Sequence, residues 1–284
     1  MSPAADPHAL GGHEAHGGHE ARGDHAHGGH QADSAGVPWG GRSFQPNRHA
    51  SDDGSADPRL LAALLAFHEG TGSQIEIIEA YRSARLLIPL VAALRQAQEP
   101  DFRSIGAHGL AVDKTQELSI VTVAAPDGRR VLPVFTSVTA LGKWDAAARP
   151  VPADGVRTAI AAADDDTDLI VIDPGSETEF VLRRPAVWAI AQGIPWEPSF
   201  TSPEVFAGLQ QSTGGELAVL DLAVAAGDPS GRLRGPELIV RLELMPGLDK
   251  TELDTVLARL AKRWAADDRI AVLVDSLTVK LVRG

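Results

Sequence analysis

Neutral imidazole is a good ligand for zinc, copper and nickel, so a cluster of histidines is the first place to look for chemistry. Of the ten histidines in the chain, six fall in one short stretch, HEAHGGHEARGDHAHGGH: His13, His16, His19, His25, His27 and His30. The intervening glycines let such a segment fold several rings round one ion. Those spacings are tied to no folded scaffold that would fix the coordination geometry and its supporting hydrogen bonds, and metal sites depend on that support. The expectation is weak, pH-dependent binding of adventitious Zn, Ni or Cu, with a metal-buffering role for the tail as the functional form of that reading. No resident cofactor is expected.

Carboxylates supply the next candidates. Asp164, Asp165, Asp166 and Asp168 form an acidic run, but the alternating oxygen ligands, glycine and closing glutamate of a calcium loop are missing, so a solvated helix end is the simpler reading. Asp173, Glu177 and Glu179 surround Pro174-Gly175. On a strand over 177–184, Glu177 and Glu179 would share one face and could act as paired acids. Asp-Pro-Gly is also ordinary turn chemistry, and no nucleophile accompanies it. Arg183 and Arg184 follow directly, and adjacent guanidinium groups can clamp a carboxylate or phosphate. Glu179, Arg183 and Arg184 are therefore the candidate ligand or interaction residues. His68 continues a leucine face and reads as a packed or boundary residue, while His108 lies in a loop-like setting. Ser137 and Ser230 lack a nucleophile elbow, and neither a P-loop nor G-x-G-x-x-G occurs.

The chain as a whole narrows the partners. Its formal net charge of −12 opposes nucleic acid, whose binding draws on Lys and Arg. It contains no cysteine, which removes disulfides, thiolate nucleophiles and Cys-based metal sites. The N-terminal residues show no charged n-region followed by an apolar core, and the longest apolar run, near Leu86–Leu94, is broken by Pro89. Neither a secretory signal nor a membrane span is expected, and the location expected is cytoplasmic.

Residues 1–56 are rich in Gly, His, Ala and Asp and poor in aliphatic side chains, so they are expected to be a disordered tail. Within it, Trp39 and Phe44 in PWGGRSFQPNRH suggest a docking strip. The elements begin with a helix capped by Asp57 and Pro58, followed by a helix over 74–83 and a buried strand, RLLIPLVA, over 85–92. A long polar connection precedes ELSIVTVAA (117–125). Asp127-Gly128 then turns that strand into VLPVFTS (131–137) as a hairpin. Ser137 or Thr136 caps a helix to Trp144, a helix lies near 154–163, DLIVID (168–173) is a strand, and Pro185 opens PAVWAIAQG. Phe135, Trp144, Phe180 and Trp188 are expected in the core, with a shared interaction groove as the other reading. After a Pro-containing connection (195–204), ELAVLDLAV and ELIVRLELM read as strands, Asp249 with Glu252 forms a capping box, and Leu253, Val256, Leu257, Leu260, Ala261 and Trp264 line one helical face. RIAVLVDS and SLTVKLVR read as closing strands. The organisation expected is a domain over 57–200 and a smaller α+β domain over 201–284.

LLIPLVA, then LPVFTSVTALGKWDAAARPVP, then DLIVIDPGSETEFVLRRPAVWAIAQG together resemble the N-terminal domain of actinobacterial SseB proteins, and PELIVRLELMPGLDKTELDTVLARL with DSLTVKLVRG is similar to the segment that follows it there. The resemblance implies an α+β fold with a mixed sheet and flanking helices. It brings no catalytic residues to this sequence, only a family name that derives from serine sensitivity. The reading that follows is a non-enzymatic protein-interaction or regulatory module with a protein partner. The alternative is a small-molecule-binding protein or enzyme with a ligand cleft between the two domains.

Overall fold

The computed structural model describes residues 52–92, 102–105, 118–125, 128–164, 167 and 169–282. It is an α+β structure with two sheets. The first part opens as its local signals dictate. In α1 (Pro58–His68), Asp57 accepts from the amides of Arg59 and Leu60, and Leu60 and Leu64 are buried one turn apart. Ser73 and Glu76 close a reciprocal capping box on α2 (Gln74–Ser83), which buries Ile77, Ile78, Ala80 and Tyr81. The strand β1 (Arg85–Ala92) follows, with Leu86, Leu87, Ile88 and Val91 all buried, as suits a strand covered on both faces.

Six more strands complete this sheet: β2 (Phe102–Ile105), β3 (Leu118–Ala124), β4 (Arg130–Val134), β5 (Arg149–Asp154), β6 (Leu169–Ile172) and β7 (Phe180–Leu182), in the order β5-β1-β3-β4-β6-β7 with β2 paired to β3. The hairpin from β3 to β4 turns through Gly128 at φ +84°, a conformation natural to glycine. Two helices, α3 (Val138–Trp144, capped by Ser137) and α4 (Gly155–Asp164), lie between β4 and β6, which pair in parallel. The sequence reading passed over β2 and β5. β5 is an edge strand with Pro150 and Pro152, residues that weaken any periodic strand signal and also guard an edge against foreign pairing.

The expected strand over 177–184 is shorter in the structure. Only Phe180–Leu182 is extended in the sheet, and Glu177 and Glu179 belong to the turn before it, so the alternation that would place them on one strand face does not exist. The cause is Asp173, buried and in the left-handed region at φ +45°. Its carboxylate accepts from the Thr136 amide at 2.8 Å, the Thr136 hydroxyl at 2.7 Å and the Thr178 hydroxyl at 2.9 Å, which holds the chain in a turn for five residues. Helix α5 (Arg184–Gln192) then runs to Gly193, which ends it at φ +68°.

The second sheet has the order β10-β9-β8, from β8 (Val219–Ala226), β9 (Leu238–Leu244) and β10 (Leu277–Val282). Helix α6 (Pro203–Thr213) precedes it. Helices α7 (Lys250–Ala265) and α8 (Asp268–Leu273) form the crossover between the parallel pair β9 and β10. Leu238, Val240 and Leu242 are buried against Val205, Leu209, Val256, Leu260, Trp264 and Ile270, so all three helices cover one face of the sheet. The stretch RIAVLVDS, expected as a strand, is helical through Leu273, in α8. Asp267 caps it by accepting from the Arg269 amide, and Ile270 and Val274, four residues apart, are the buried pair. A short aliphatic run fits either period, and here the cap decides it.

The 227–237 connection between β8 and β9 straps the second sheet to the last strand of the first. The Val181 amide donates to the Gly231 carbonyl at 2.7 Å, extending β7 by one chain. Gly231 stands at φ +63°, and any Cβ there would lie 2.6 Å from the Phe180 ring. Leu233 packs with Val123, Val131, Val171 and Val181.

Candidate functional site

Two features meet where the strap, β7, α5 and α8 come together: a buried ionic cluster and, on the outer side of α5, an apolar groove. The cluster centres on Arg183, which lies between β7 and α5. Its Nη2 donates to Asp228 Oδ2 at 2.9 Å and to the Gly235 carbonyl at 2.8 Å, and its Nη1 donates to Asp275 Oδ2 at 3.0 Å and Ser276 Oγ at 3.2 Å. Arg129 reaches the other oxygen of Asp275 at 2.7 Å. Glu237 accepts the Asp275 amide at 2.6 Å. Side-chain exposure is 9% for Arg183, 2% for Asp228 and 1% for Asp275. The cavity on the Arg183–Asp228–Glu237 side of this cluster measures about 20 Å³, room for one water, and a wider one of about 540 Å³, lined by Arg129, Arg234, Asp275 and Ser276, opens on its other side.

Burial pushes the Glu237 carboxyl above its ordinary range, and the charge on Asp275 adds to that. Burial would do the same to Asp275, but Arg129 and Arg183 outweigh it and hold that carboxyl below its ordinary value. The two act on stability in opposite senses. Glu237 favours folding in its protonated form, so its contribution is full below about pH 4.5 and is lost as pH rises through its folded pKa. Asp275 favours folding when ionised, so its contribution is lost as pH falls below about 3.8. Glu237→Gln keeps an acceptor for the Asp275 amide and removes the titration. As pH rises above about 4.5 its urea midpoint should therefore decline less than that of the wild type. Parallel declines in the two proteins would show that the Glu237 carboxyl is not shifted upward by folding.

The groove holds about 210 Å³ and is walled by Trp188, Ile194, Pro195 and Trp196 on one side and by Val272 and Leu273 on the other. Trp188 is 50% exposed, Ile194 49% and Val272 56%, so three large apolar side chains face water at one place. Two arginines set its walls. Arg184 donates to the Ala271 and Val274 carbonyls at 2.8 and 2.9 Å, where a cation suits the C-terminal end of a helix, and so holds α8 against α5. Arg82 donates to the carbonyls of Ala189 and Ile194 and fixes the chain where it leaves α5. Both charged residues lining the groove, Glu197 and Glu204, are acidic.

Glu179, Arg183 and Arg184 do not converge on one point. Arg183 points inward to Asp228 and Asp275, Arg184 binds the end of α8, and Glu179 accepts from the Gly175 amide in the β6–β7 turn. His68 is half-buried, its Nε2 enclosed without a hydrogen-bond partner, and burial lowers its pKa so that the ring is neutral near pH 7. Phe135 and Phe180 are core residues, as expected, and Trp144 is half-buried against Phe135. The expectation for Trp188 is corrected: it lies on the surface. Helix α5 buries Pro185, Ala186, Val187, Ala189 and Ile190, so nearly all of its residues are apolar and its sequence shows no polar side that would mark Trp188 as outward-facing. Ile194, Val272 and Glu204 were not singled out from the sequence at all.

Among the described residues, no three His, Asp or Glu side chains are grouped to hold a metal ion. His13, His16, His19, His25, His27 and His30, with Trp39, Phe44, His108, Asp165, Asp166 and Asp168, lie outside the described residues. No helix among those described is long and apolar enough to cross a membrane. Residues 59–189 match the family model described as the SseB protein N-terminal domain. No curated protein and no solved structure matches the chain.

Proposed function

The chain is a member of the SseB family by its N-terminal domain, and from that premise we propose that it is a non-enzymatic docking module that holds a short segment of a protein partner in the groove beside Trp188. One observation carries the reading: Trp188, half exposed, on the rim of an apolar groove whose walls are clamped by Arg82 and Arg184. A rigid aromatic with part of its surface still in water is the kind of residue that dominates interface energetics. The acidic rim of Glu197 and Glu204 favours a segment with an apolar anchor flanked by Lys or Arg, and complementary charge raises the rate of encounter as well as selectivity.

The buried cluster supports the same reading from the other side. Its arginines and carboxylates are engaged with one another, so its chemistry holds the wall of the groove in place.

Selection from a displayed peptide library tests the proposal without a known partner. The wild-type chain should enrich sequences with one or two large apolar residues next to basic ones. Trp188→Ala should bind the enriched peptides at least about 30-fold more weakly, as expected for an aromatic hot spot, while melting within a degree or two of the wild type because the side chain is half solvated. Selection that enriches no common sequence, or enriches the same peptides equally on Trp188→Ala, overturns the reading.

A further inference from the structure

The strand β10 lies at the edge of the second sheet, paired on one side only, with β9. The bond from the Leu238 amide to the Ser276 carbonyl fixes which of its backbone groups are taken. In a parallel pair alternate residues bond the same neighbour, so Thr278, Lys280 and Val282 direct their amides and carbonyls to β9. Those of Leu277, Val279 and Leu281 point away from the sheet, and no partner meets them among the described residues. A groove of about 530 Å³ runs beside that free edge, between β10 and the helices, walled by Leu257, Ala261, Trp264, Ile270 and Ala271. Leu277 and Val279 stand opposite Leu238 and Val240 and share the helix-covered face of the sheet. Lys280 stands beside Arg241 on the open face, and both are exposed. Like charges side by side across strands repel, and no acid relieves them within the row, whose third member is Ala223.

We propose that the β10 edge takes an extended segment of a protein partner as a fourth strand of this sheet, one in which apolar residues flank a central Glu or Asp. The site is separate from the groove beside Trp188. The backbone groups of Leu277, Val279 and Leu281 supply the pairing, and the partner residues beside them face the helices and fill the apolar groove. The partner residue beside Lys280 faces the open side, about 4.8 Å from that strand and about 10 Å from the strand of Arg241, so a carboxylate there meets two cations. Glu243, in the next row, lies two strands across and two residues along, roughly 12 Å off and beyond the ~8 Å Debye length, and does not cancel them. The β10 strand of a second copy does not meet this requirement, because the one charge it carries is Lys280 itself. Leu281 is 47% exposed and Val282 42%, and an exposed apolar edge pairs indiscriminately unless something selects its partner. Lys280 makes that selection by rejecting strands that bring a cation beside it.

The blocked synthetic peptide SGVTVEVTVGS, titrated into the full chain and followed in its amide NMR spectrum, tests this, with SGVTVKVTVGS as the charge-reversed control. The Glu peptide should shift the amides of Leu277, Val279 and Leu281, slow their exchange with solvent, and bind at least about 5-fold more tightly than the Lys peptide. Lys280→Glu, at an exposed side chain, should turn that preference towards the Lys peptide. Val279→Pro removes an outward amide and none of the ladder to β9, and should weaken the Glu peptide by about 10-fold or more. Trp188→Ala should leave the affinity for both peptides unchanged, which separates this site from the groove on α5. Equal affinity for the two peptides, no binding of the Glu peptide up to about 1 mM, or shifts that fall elsewhere than β10 overturn the proposal. So does a wild type whose β10 amides shift with its own concentration before any peptide is added, since a second copy would then be the occupant.

Discussion

Arg183→Met should lower the stability of the fold by about 3–5 kcal/mol, the cost measured elsewhere when one partner of a buried ion pair is removed. Methionine fills much of the same volume, so the loss reports charge and hydrogen bonding more than a cavity. What remains is Asp228, at 2% side-chain exposure, holding only the Ser230 hydroxyl and the Leu233 amide, and Asp275, at 1%, deprived of one of its two guanidinium partners. For a folded part of this size the loss corresponds to a fall in Tm of about 6–20 °C. Arg183→Lys should fall between the two, because one ammonium cannot span Asp228 and Asp275 as the planar fork does. Adding Asp228→Asn to Arg183→Met should recover part of the loss, since it removes the charge left alone, and the double-mutant cycle measures that coupling directly. The amide of Val181, bonded across the joint to Gly231, and that of Leu233, bonded to Asp228 within the strap, should exchange faster in Arg183→Met. A loss below about 1 kcal/mol would mean that water reaches the cluster freely and that the pairs are worth no more than surface ones.

The same residue shows where sequence reasoning stops. Two adjacent arginines announce a need for anions, and the sequence reading assigned that need to a ligand. The anions are Asp228 and Asp275, 45 and 92 positions further along the chain, and no local pattern distinguishes a carboxylate of the protein from one of a partner. The legible features are those whose cause is local. Asp57 before Pro58, Asp249 with Glu252, and the glycine turn between β3 and β4 each act within a few residues, and each is legible in the sequence. What was misread depends on distant chain. β5 is a strand because β1 pairs with it through six positions despite two prolines. Helix α6, capped by Ser202, begins within the connection expected over 195–204, and the sequence reading assigns the rest of it to no element, because Ser, Thr and Pro crowd its start. The polar contacts that shape the groove, from Arg82 to Ile194 and from Arg184 to Val274, span 112 and 90 residues.

Gly155→Ala sets local propensity against packing, and the magnitudes differ enough to decide the sign. Gly155 is the first residue of α4, where alanine should help by up to about 1 kcal/mol if only helix preference mattered. A Cβ at that position, however, would stand 1.8 Å from the Tyr81 carbonyl oxygen and 2.9 Å from the Tyr81 ring. Neither can yield cheaply. The carbonyl belongs to the last turn of α2, and the ring is fully buried, its hydroxyl 2.6 Å from the Thr158 hydroxyl. Thr158 in turn donates to the Gly155 carbonyl at 2.7 Å, which leaves the tyrosine as donor in that pair and ties both helices into one network. Relieving the clash means moving α4 away from α2, breaking the 3.1 Å bond from the Gly155 amide to the Ala84 carbonyl and opening the core on Tyr81. The expected loss is about 4 kcal/mol or more, at the upper end of what single substitutions do. Gly142→Ala is the matched control. It lies within α3 with nothing within 4 Å of a new Cβ, so there propensity acts alone and the urea midpoint should rise by the equivalent of about 0.5–1 kcal/mol. If both alanines stabilise, α2 and α4 do not approach as closely as described; if both destabilise, propensity is not the governing term in α3 either.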